Sequence, residues 1–61
     1  MLEFAEAVLK DIRELRKSSE EIVLGGSITD MDRYRFLMGR IEACKLMEES
    51  VRERVKRHSQ D

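Results

Sequence analysis

The chain contains no proline, and its one pair of adjacent glycines, Gly25-Gly26, stands between two long stretches rich in Glu, Lys, Arg, Leu, Ala and Met. Those are strong helix formers, and nothing within either stretch obliges a helix to stop. Gly25 suits the left-handed residue that often ends a helix, and Ser27 or Thr29 can accept from the first free amides of the next one. Asp30 and Asp32 then fall in its first turn, where negative charge favours the positive end of the helix dipole. So short a connection makes neighbouring helices antiparallel. The expectation is an all-α fold: a two-helix antiparallel hairpin, one domain over 1–61, with a helix at about 2–24, a turn at about 25–29 and a helix at about 30–57. A short tail, Ser59-Gln60-Asp61, should fray. At ~1.5 Å per residue the helices would be about 34 and 42 Å long, so the second overhangs the first.

In the first helix Ala5, Val8, Ile12, Leu15, Ser19 and Ile22 recur at alternating spacings of three and four, with Leu2, Leu9 and Val23 widening the same stripe. In the second, Tyr34, Leu37, Ile41, Cys44, Val51 and Val55 fall on one stripe that suffices to cover the first helix. Glu48 interrupts it, and is expected at the edge, paired with an arginine. Tyr34 should place its ring in the core and its hydroxyl at the rim.

A further set on the second helix, Phe36, Gly39, Ala43, Leu46 and Met47, lies largely on the other side, more apolar circumference than a hairpin can cover. The small residues Gly39 and Ala43, four apart, would let another helix approach closely. The bland alternative is a tolerated glycine among scattered surface apolars. The expected site is therefore an oligomer or partner interface on these five residues. A twofold dimer would complete a four-helix bundle, and a larger protein could cover the same face instead.

Help of that kind is needed. A 61-residue chain buries only ~60% of the surface its unfolded form exposes and is marginal without staples. Cys44 is the single cysteine and His58 the single histidine, too few for an internal disulfide or a structural zinc site. Cys44 reads as a small core residue, about four turns from His58 along one helix, so the two cannot form a thiolate-imidazole pair. No histidine stands three residues after a glutamate, as bundle metal sites require, and Gly25-Gly26-Ser27 lacks the lysine and spacing of a phosphate loop. No catalytic, cofactor-binding or metal-ligating residue is expected, and no enzyme.

Twelve basic residues against thirteen acidic ones give a net charge of −1, so no global excess argues for nucleic acid or an anionic membrane. The longest apolar run, Ile22-Val23-Leu24, cannot span a bilayer, and Met1-Leu2-Glu3 does not open a signal peptide. An intracellular protein is expected. Locally, Arg52, Arg54, Lys56 and Arg57 could contact phosphate; equally, cations near a helix C-terminus complement its dipole. Arg33, Arg35 and Arg40 form a second basic group.

The run Tyr34-Arg35-Phe36-Leu37-Met38-Gly39-Arg40-Ile41, reached through Thr29-Asp30-Met31-Asp32, resembles small helical proteins that tailed bacteriophages encode near their structural genes, in which the second helix carries a Tyr-Arg-x-Leu-x-Gly-x-Ile pattern. The resemblance implies a phage origin and a virion or assembly component packed against larger subunits, in the host cytoplasm or the virion. Some small phage proteins instead inhibit a host enzyme. In length and layout the chain is also similar to the helical-hairpin dimer that controls plasmid copy number by binding paired RNA loops. The expected function is thus a non-enzymatic protein-protein interaction module of phage, with itself or a larger phage or host protein as partner. The alternatives are a small nucleic-acid-binding regulator and an inhibitor of a host protein.

Overall fold

The computed structural model of the chain describes residues 2–60. They form α1 (Leu2–Leu24) and α2 (Met31–Gln60), packed on each other as a helical hairpin. α2 runs three residues past the 57 expected from periodicity; of the expected tail, Ser59 and Gln60 belong to the helix and Asp61 lies outside the described residues. The molecule measures 49 × 15 × 12 Å. Its least dimension is about one helix diameter, so the hairpin is a single layer of two helices.

The connection differs from the expected one in two details. Gly25 still donates its N–H to the Glu21 carbonyl at 2.9 Å, continuing the ladder of α1, and it is Gly26 that turns left-handed at φ 73°. Because α2 starts at Met31, the capping position falls on Asp30 rather than on Ser27 or Thr29: Asp30 Oδ1 accepts from the Arg33 N–H at 2.7 Å and its carbonyl from the Tyr34 N–H at 3.2 Å. Asp30→Ala should therefore lower stability by about 1 kcal/mol, the usual cost of losing such a cap. Urea unfolding followed by circular dichroism checks it, with an unchanged midpoint counting against the cap.

The seam follows the expected stripes with three exceptions. On α2, Leu37, Ile41, Cys44 and Glu48 are buried, with Val51 and Val55 half-buried. On α1, Ala5, Val8, Leu9, Ile12, Ile22 and Val23 are half-buried, and Ser19 is fully buried. Ser19 donates to the Leu15 carbonyl at 2.8 Å and accepts from Arg40 Nε at 2.9 Å, so its hydroxyl is satisfied without water. The exceptions are Leu2, at the open end and 59% exposed, Leu15, 44% exposed, and Tyr34, 41% exposed. Leu15 stands on a margin of the stripe, while Arg16 on the other margin reaches across to Glu48. Tyr34 sits one turn into α2, beside the connection, where it lines an open depression with Val23, Gly26, Ile28, Thr29, Asp30 and Met31.

Candidate interaction surface

Two cross-helix contacts orient everything else. At 100° per residue, Arg40 lies on one margin of the α2 stripe and Arg16 on the opposite margin of the hairpin seam. Arg40 reaches Ser19 from one broad face, and Arg16 Nη1 reaches Glu48 Oε1 at 2.9 Å from the other. The hairpin therefore has an Arg40 face and an Arg16 face, and the two differ in chemistry.

The Arg16 face is built on a buried carboxylate. Glu48, 4% exposed, interrupts an apolar stripe and is held by cations on both helices: Arg16 at 2.9 Å and Arg52 Nη2, one turn on, at 3.5 Å. Arg16 also lies 3.6 Å from Glu20. Glu48 is thus paired with arginine as expected, but in the seam rather than at its edge. The 2.9 Å approach is an ion pair lacking hydrogen-bond alignment, so Oε1 has no hydrogen-bond donor among the described residues. Lys45, Glu49 and Lys56 extend this face with charge, and its exposed apolars are Leu2 near the open end and Met31, Tyr34 and Met38 towards the connection.

The Arg40 face is apolar. Phe4 is 71% exposed and Leu15 44% on α1; on α2 Phe36 is 58% and Met47 54% exposed, with Ala43 between them. The Arg40 guanidinium carbon lies 5.5 Å from the Phe36 ring centroid, a cation-π contact of ~0.5–1 kcal/mol at an exposed site. With its Nε committed to Ser19, Arg40 pins the exposed ring to the hairpin.

Of the five interface candidates, all are exposed, but they divide by direction. Phe36, Ala43 and Met47 belong to the Arg40 face, whereas Gly39 and Leu46 stand on the outer ridge of α2, farthest from α1. A Cβ built at Gly39 meets nothing within 4 Å, so the hairpin itself gives no reason for glycine there. Phe4 and Leu15 were not among the candidates. Leu15 had the right spacing for the core stripe, and only the direction of the α2 contacts shows that it sits on the exposed margin.

The basic candidates are not gathered. Arg52 is engaged with Glu48, and Arg57 Nε donates to Glu53 Oε1 at 3.2 Å. Arg54 points to the Arg40 face and Lys56 to the other. Cys44 is a buried free thiol and His58 is exposed, so the geometry does not join them. Among the described residues no three His, Cys, Asp or Glu side chains are placed to hold a metal ion, and neither helix is long and apolar enough to cross a membrane.

No protein-family model, no curated protein and no solved structure matches the chain.

Proposed function

We propose that the chain is a non-enzymatic protein-protein interaction module, a virion or assembly component of a bacteriophage, whose second helix meets other chains. The observation that carries the interaction reading is the exposure of Phe36, Leu46 and Met47, each more than half open to solvent, on a helix already packed along its opposite side. Large exposed apolar side chains on the Arg40 face and the adjoining outer ridge of so small a rod mark a surface suited to a partner. The phage assignment is supported by the likeness of the Tyr34-to-Ile41 run alone. The dispersal of Arg52, Arg54, Lys56 and Arg57, with two of them engaged by glutamates, weighs against the nucleic-acid reading.

In cells producing the phage, the chain is expected to sediment with particles or their assembly intermediates. Leu46→Glu combined with Met47→Glu should remove it from that fraction while leaving its helical circular dichroism intact, since both side chains lie outside the seam. Particles that form normally without the chain would sink the virion reading.

A further inference from the structure

We draw no further inference here: the strongest candidate, the exposed apolar Arg40 face of the hairpin on which Phe4, Leu15, Phe36 and Met47 lie, carries none because nothing in the structure shows what covers it.

Discussion

Leu37→Ala is expected to cost about 3 kcal/mol and to leave the chain largely unfolded at room temperature. Leu37 is 0% exposed and is the largest fully buried side chain among the described residues. Removing its isobutyl group forfeits transfer energy and opens a void that the seam cannot fully close, for which ~2–5 kcal/mol is usual. A 61-residue domain has only ~3–9 kcal/mol in total, so a loss that a larger protein absorbs is here comparable to the whole. Urea titration by circular dichroism reads it. A loss below about 1 kcal/mol would place Leu37 outside the core.

The second large effect is expected at the buried ion pair. Arg16→Met should destabilise by about 3 kcal/mol, because it strands the Glu48 carboxylate in the seam. The figure sits at the low end of the ~3–5 kcal/mol usual for breaking such pairs. Arg52 remains 3.5 Å away and the Arg16 side chain is itself 30% exposed, so water and a second cation soften the loss. Arg16→Met with Glu48→Leu should recover most of the stability or exceed the wild type, since packed apolar residues of similar volume commonly replace a buried pair without loss. Thermal unfolding of the two variants decides the matter. A double variant as unstable as the single one would mean that the pair contributes beyond cancelling its own burial cost.

The hairpin was legible because its determinants are local. The absence of proline, the Gly25-Gly26 pair and the three-and-four spacing of apolar residues each act within a few positions, and they place two helices and their facing stripes correctly. What was not legible depends on direction across the seam. Spacing puts Leu15 in the stripe and leaves Arg16 beside it; that Leu15 stands exposed on one margin while Arg16 crosses the seam from the other is decided by Glu48 on the other helix. Arg40 looked like one member of a basic group, yet it is tied to Ser19, a residue 21 positions away. Ser19 itself carried a usable signal, since a serine in an apolar stripe needs a partner when buried. The capping residue was missed by one position because Ser27, Thr29 and Asp30 are all competent acceptors, and the start of α2 selects among them. The exposed apolar face draws on Phe4 and Leu15 as well as on α2, and no periodicity within one helix reports a surface shared by two.

The single connection at residues 25–30 has a kinetic meaning. Every contact in the seam closes a loop through that turn, and the loops lengthen steadily towards the open end. Ser19 to Arg40 spans 21 positions and Arg16 to Glu48 spans 48 − 16 = 32. The added closure entropy between them is only ~0.4 kcal/mol. Topology therefore presents no late, long-range barrier: once the turn is nucleated the helices can zip outward from Gly26 and Asp30, and the speed of assembly is set by the turn chemistry rather than by a search for distant strands or segments.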